Sequence, residues 1–317
     1  MRNVKGQTFD NLDSNESMFF TRELEHVKSK TYDMRYPDLS YARLLPIDTS
    51  AGPGADSITY EQYDAVGVMK IIANYSDDLP RSDVFGREFT IAVKSIAGAY
   101  GYNVQEIRSA LKAGKPLNTR KAAAVRKAYE VMCNNIAFFA DGTAEWGGMR
   151  GILYASGTTK AAATTGDWLN GTTTPAQILT DIENALAAVD TLTNGVESIN
   201  TCVLPKNHLA HLSTTPRTDN SDLTVLDWIK KAYPEITFTQ ARELKDVNPK
   251  PSTMAAVNTN IALFYNKSPE NLVLEVPSPF EQFPAQAKGL EFTIAAHGRV
   301  AGVNVFYPLT VYAMEGI

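Results

Sequence analysis

Cysteine and histidine are scarce in this chain, at two and four of 317 positions. Cys133 lies in an apolar helical stretch and Cys202 in an apolar strand-like stretch, so two buried thiols are expected rather than the dense bridging of a small secreted scaffold. Four histidines without triad order leave little room for histidine-based catalysis. No stretch approaches the roughly 20 apolar residues that span a bilayer. Met1 to Phe20 is polar and lacks the apolar centre of a secretory signal, so synthesis in a reducing cytoplasm is expected. Neither sign of charge dominates: 30 Lys and Arg against 35 Asp and Glu give −5, unlike the strongly basic domains of dedicated nucleic-acid binders.

Sites for small-molecule chemistry are equally sparse. There is no Walker-type loop, dinucleotide fingerprint or Gly-x-Ser-x-Gly elbow. The glycine clusters Gly98 to Gly101 and Gly147 to Gly151 suit tight turns better than phosphate binding. His208 and His211, three apart on a predicted helix, could present two metal ligands, but the glutamate of His-Glu-x-x-His is missing and no third ligand stands nearby. An ordinary surface helix is the plainer reading. Asp77-Asp78, just before Leu79-Pro80, reads as a strand-terminating turn. No cofactor is expected.

The first ninety residues also lack long amphipathic elements. Tyr36-Pro37-Asp38 and Leu45-Pro46 interrupt any helix. Such an arm cannot by itself bury enough apolar surface to offset its ordering entropy, so a neighbour is expected to hold it. Ile58–Tyr63 and Val66–Tyr75 read as two strands of a hairpin, with Phe85–Ile96 extending the region. An isolated hairpin is marginal in water, so this one is expected to lie on another subunit, with Tyr60, Tyr63, Lys70 and Tyr75 as its assembly residues.

Regular elements follow. Asn103 to Glu106 forms a capping box for a short helix ending near Gly114. Pro116 to Thr119 then opens the longest helix, stopped by Asp141-Gly142, with Val125, Tyr129, Met132, Ile136 and Phe139 along one face. Ser156 to Thr174 reads as a loop. Thr174 to Gln177 is a second capping box, followed by the stripe Ile178, Ile182, Ala185, Val189 and Leu192 and a stop at Asn194-Gly195. A strand at Ile199–Leu204, a helix after Pro205 and a helix from Ser221-Asp222 through Trp228 come next. Ile236–Thr239, Ile261–Tyr265, Leu272–Val276, Leu290–Ala296 and Val300–Met314 read as strands.

Between Arg81 and Lys127 basic residues outnumber acidic ones. Arg120, Lys121 and Lys127 lie toward the polar side of the long helix. They form either a solvated face with inter-subunit ion pairs or a surface that neutralises phosphate without reading sequence.

In this order of parts the chain resembles the Hong Kong 97-type major capsid proteins of tailed bacteriophages, a fold shared with encapsulins. The passages carrying the resemblance are Tyr60 to Lys70, the helix Thr119 to Ala140, and Gly148 to Leu153. The resemblance implies an α+β fold with an N-terminal arm (1–48), an extended hairpin loop (49–90), a peripheral domain around a spine helix (91–160 with 280–317) and an axial domain (161–279). It implies a non-enzymatic shell protein of the virion that self-assembles as hexamers and pentamers into an icosahedral head around double-stranded DNA. Arg120, Lys121 and Lys127 would face the packaged DNA. With no helical coiled segment ahead of the arm, scaffolding is expected from a separate protein; a portal and a decoration protein are further expected partners, and no membrane is. Two alternatives remain beside it: an encapsulin-type compartment shell and, more distantly, a metal-dependent hydrolase using His208 and His211.

Overall fold

The structure is a computed structural model that describes residues 39–67, 69, 82–114, 120–218, 222–247 and 259–317. The expected arm up to Asp38, the strand region 70–75, Asp77-Asp78, the helix start at Pro116 to Thr119, and Ser221 lie outside the described residues.

Helix α1 (Tyr41–Leu44) is docked, not loose: Tyr41, Leu44 and Leu45 are buried. Strand β1 (Ile47–Asp48) follows, then β2 (Ser57–Val66) and β3 (Asp83–Ala92). β2 pairs antiparallel with β3 in an unbroken register from Ser57↔Ala92 to Val66↔Asp83. The strand returning along Ile58–Tyr63 is therefore Asp83–Ala92, not Val66–Tyr75. Strand propensity marks both segments alike; pairing is chosen by context.

Strand β4 (Lys94–Asn103) runs into α2 (Val104–Ala113) through the expected capping box. Asn103 Oδ1 accepts from the Glu106 amide at 2.6 Å, and the helix closes at Gly114 with φ 61°. The glycines at 98 and 101 sit inside β4, not in a turn: a Cβ at Gly101 would stand 3.1 Å from the Phe292 carbonyl oxygen. Helix α3 (Arg120–Phe139) crosses this sheet. Its last turns are buried on more than one side, through Tyr129, Cys133, Asn134, Ile136, Ala137 and Phe138, whereas Val125, Met132 and Phe139 are only half-buried. The apolar stripe thus marks the correct face but not its breadth, because the helix end passes between other elements. The chain after it folds back so tightly that a Cβ on Gly151 would lie 2.6 Å from the Ile136 carbonyl oxygen, and only glycine permits that approach.

Strand β5 (Thr159–Ala162) lies in the stretch expected to be loop. Its polar, small-residue composition carries no strand signal, and it forms only because β14, far along the chain, pairs with it. Helix α4 (Pro175–Thr193) has the expected capping box and stops at Asn194 with φ 53°. Leu192 leaves its stripe and is exposed. β6 (Thr201–Leu204) and α5 (Lys206–Thr214) follow; α6 (Val225–Ala232) starts three residues later than expected, capped by Thr224 Oγ1, which accepts from the Asp227 amide at 3.1 Å. β7 (Thr237–Gln240), β8 (Ile261–Tyr265), β9 (Leu272–Glu275), β10 (Ser278–Gln282), β11 (Gln286–Lys288), β12 (Glu291–Val300), β13 (Gly302–Val305) and β14 (Tyr312–Glu315) complete the order. The expected strand Val300–Met314 is split by Gly302 at φ 91° and by a 3-10 turn at Pro308–Thr310.

A mixed five-stranded sheet, β5-β14-β8-β6-β7, separates two hydrophobic cores. Alternation along β8 is the clearest expression of this: Ile261, Leu263 and Tyr265 enter the first core, while Ala262 and Phe264 enter the second. The first core also takes the end of α3 and the small sheet β1-β9-β13. The second is closed by α4, α5 and α6. In a third sheet β12 pairs with β10 and β11 on one side and β4 on the other.

Candidate assembly interface

Ten residues of β2 and β3 at about 3.3 Å each make a two-stranded ribbon of about 33 Å. At its base Tyr60 stacks on Phe89 (centroids 5.1 Å apart) and meets Phe306 edge-on at 4.9 Å. Beyond Tyr60 the ribbon is solvated: every β3 residue from Asp83 to Thr90 is exposed, as are Glu61 to Asp64. Tyr63 (66 %), Val84 (66 %) and Phe85 (61 %) are apolar groups held in water.

Cross-strand order explains how the ribbon keeps its shape. The Thr59 and Thr90 hydroxyls are 2.9 Å apart. Glu61 faces Glu88 directly, an unfavourable like-charge pair, and the Tyr63 hydroxyl donates to Glu61. The Tyr63 ring covers Gly86, where an added Cβ would sit 3.0 Å from ring carbon Cε1. Of the expected assembly residues, Tyr60 is thus a base anchor and Tyr63 an exposed ribbon residue, while Lys70 and Tyr75 lie outside the described residues. Val84 and Phe85 are the exposed pair missed by the sequence reading. A cleft of about 570 Å³ opens beside the ribbon base, lined in part by Gln62, Arg150, Gly157 and Asn304.

A second tether holds the entry to the ribbon. Asn134 Oδ1 accepts from the Ser40 and Tyr41 amides at 3.2 Å each, its Nδ2 donates to Glu243 at 2.9 Å, and the Tyr265 hydroxyl donates to the Leu44 carbonyl at 2.7 Å. Arg299 donates to the Pro53 carbonyl and to Asp56, both at 2.7 Å.

On α3 the three expected basic residues differ. The Lys121 ammonium donates to Glu106 at 3.0 and 3.2 Å and to the Gly101 carbonyl at 2.9 Å, and it sits 4.7 Å from the Tyr102 ring centroid. Lys121 chiefly, with a lesser part from the Asn103 amide, holds the Glu106 carboxyl below its ordinary range against the opposing effect of desolvation. Arg120 is exposed and Lys127 half-buried on the same helix.

His208 is not a surface residue. It is 1 % exposed and packed edge-on to Trp168, with the Ile317 backbone and the Asp167 carboxylate close by. Burial, the dominant cause, lowers its pKa. A ring this deeply buried does not present an open metal position with His211, and among the described residues no three metal-ligating side chains cluster. That geometry lends the hydrolase alternative no support. Among the described residues no helix is long and apolar enough to cross a membrane.

A model of the major capsid protein family matches residues 67–317. The chain belongs to that family. Its role is that of a major capsid protein, a shell subunit of the virion. The fold is similar to that in the capsid of Myoviridae phage XM1, at a TM-score of 0.80 and 17 % identity over 95 % of this chain and 100 % of that one. It is also similar to the capsid of cyanophage P-SCSP1u (TM-score 0.61, 12 % identity, 95 % of each chain). The virus-like particle of Pyrococcus furiosus matches at 0.50 and 11 % identity over 86 % and 91 %. At such identities the likeness concerns the fold, and it is the Hong Kong 97-like one. No curated protein sequence matches the chain.

Proposed function

We propose that this shell protein assembles as hexamers and pentamers around double-stranded DNA, with the β2–β3 ribbon laid on a neighbouring copy. The ribbon itself carries this reading. It exposes Val84 and Phe85 on a two-stranded element, together with Tyr63, which stays 66 % exposed despite its contacts with Glu61 and Gly86. A closed symmetric shell needs many modest contacts of this kind rather than one pocket. In the proposed division, residues 91–160 with 280–317 form a peripheral domain around α3, 161–279 an axial domain, and 49–90 the extended loop. β14 then crosses from the first into the axial sheet.

Arg120, Lys121 and Lys127 are proposed to face packaged DNA. Lys121 is partly neutralised by Glu106. Scaffolding, portal and decoration proteins are proposed as separate partners. The arm donated to neighbours is proposed to end at Asp38, because Tyr41, Leu44 and Leu45 belong to the first core.

The test is the double substitution Tyr63→Ser with Phe85→Ser, expressed with the neighbouring head genes and viewed by negative-stain electron microscopy. Soluble, folded subunits with few or no closed shells are expected. Shells formed in wild-type yield would overturn the ribbon's role. Similarity to the Pyrococcus particle keeps a second reading, a compartment shell of the encapsulin type. Nucleic acid inside purified particles supports the first; a co-purifying enzyme cargo supports the second.

A further inference from the structure

The sheet β1-β9-β13 has one apolar face, carrying Leu272, Leu274, Val303 and Val305 into the first core. Its other face mixes polar residues with the buried Val273. Register places Asp48 beside Glu275, Gly302 across from Glu275, and Asn304 one step further along β13. Asp48, Glu275 and Asn304 therefore share one face on three adjacent strands. Glu275 is 3 % exposed and Asn304 4 %. The Asn304 side-chain amide faces the Glu275 carboxyl.

No lysine or arginine pairs with Glu275 among the described residues. Arg150 passes nearby, but its backbone faces Gly302 and its guanidinium turns to the Tyr154 carbonyl at 3.1 Å. Both Asp48 carboxylate oxygens accept from Ser50, Oδ1 from its amide and Oδ2 from its hydroxyl, at 2.8 Å each. Burial first, and the Asp48 charge second, push the Glu275 carboxyl up to about 7; the Asn304 amide opposes this.

What this pair fastens is small. β1 is two residues long, joined to β9 by hydrogen bonds from the Leu274 amide to the Pro46 carbonyl (2.7 Å) and from the Val276 amide to the Asp48 carbonyl (2.8 Å). It sits in the connector between two firmer tethers, Ser40–Leu45 on α3 and Tyr265, and Pro53–Asp56 on Arg299.

We propose that β1 is a proton-operated clip, in which the Asp48–Glu275 carboxyl pair holds the connector 46–52 on β9 while it retains a proton and loosens it when both groups are ionised. The two tethers remain, so the ribbon gains freedom to pivot without leaving the body. The sign follows from linkage. With β1 released, Glu275 is solvated and titrates in the ordinary carboxylate range; with β1 in place it holds its proton up to about pH 7. The clipped state thus binds more protons between those values, and raising the pH through that window favours release. Below the window the clip is firm, and above pH 7 no further change is expected.

Hydrogen exchange followed by mass spectrometry tests this on the full chain, on a peptide covering Leu272–Val276, between pH 5 and 8 after correction for intrinsic rates. It does not require assembly, so its failure and a failure to form shells are separate results. Protection in the wild type should fall by up to about tenfold per pH unit between pH 5 and 7 and then level off. Glu275→Gln, a neutral shape mimic, should be level throughout. Asp48→Asn should end the fall at a lower pH. A level wild type, or a wild-type slope retained in Glu275→Gln, would overturn the clip; if the Gln variant fails to fold, an unshifted fall in Asp48→Asn does the same.

Discussion

The β2–β3 ribbon and the strand β8 are built from similar residues and live in opposite surroundings. β8, Ile-Ala-Leu-Phe-Tyr, is buried on both faces at the centre of the five-stranded sheet. The ribbon carries Tyr60, Tyr63, Val84, Phe85 and Phe89, and most of it stands in solvent. In β8 each side chain is stabilised within its own chain. In the ribbon the same chemistry stands in solvent, where a neighbouring copy is proposed to cover it. Strand composition therefore reports that a surface wants covering, and only topology says whether the chain or its neighbour covers it.

That contrast can be broken by substitution. Phe264→Ala in β8 should cost about 3–5 kcal/mol, since it removes a fully buried ring from the second core; urea denaturation of the soluble subunit would show it as a lowered midpoint. Asp181→Ala comes next. Its buried carboxylate accepts from Trp168 Nε1 at 3.0 Å, from the Thr164 amide at 3.2 Å and from the Thr165 hydroxyl. Losing it strands a buried indole N–H and frees the loop, at about 2–3 kcal/mol by the same measurement. The ribbon pair Tyr63→Ser and Phe85→Ser should sit at the bottom, within about 0.5 kcal/mol, because both side chains are mostly exposed and Tyr63 gives up only solvent-facing contacts, to Glu61 and over Gly86. A large loss of subunit stability there would erase the distinction between the two regions.

Acid sharpens the comparison from another side. Burial lowers the pKa of His208 in the folded chain, so the unfolded chain binds the additional proton as pH falls through the ordinary histidine range. Stability should therefore drop on acidification through that range and stop dropping below the folded value. His208→Asn should flatten this part of a stability-against-pH curve. The ribbon has no matching buried histidine, and its assembly surface should not follow the same profile.

Features readable from the chain are the local ones. The boxes Asn103–Glu106 and Thr174–Gln177 are visible because a cap needs only residues three apart, and both are present in the structure. The apolar run Ile261–Tyr265 is visible because five consecutive apolar residues need burial on both sides. The ribbon partner was misassigned because Val66–Tyr75 and Asp83–Ala92 carry the same β signal, and the choice rests on an unbroken ten-pair register. β5 was missed because Thr-Lys-Ala-Ala has no strand signal apart from β14. Asn134 gave no sign of its role, since a polar residue on a helix face looks solvated until a separate segment, Ser40–Tyr41, is brought to it.

Composition, caps and periodicity by themselves determined an α+β subunit with a long helix, a strand-rich end and an N-terminal stretch poor in core. These follow from interactions between residues a few positions apart, or from the absence of chemistry anywhere in the chain. Tertiary structure alone decided that one sheet divides two cores, that His208 is enclosed, that Asp48 meets Glu275, and that Val84 and Phe85 remain uncovered. Each of those depends on segments far apart in sequence being brought to one place, where burial and neighbouring charge, rather than residue type, set what a side chain does.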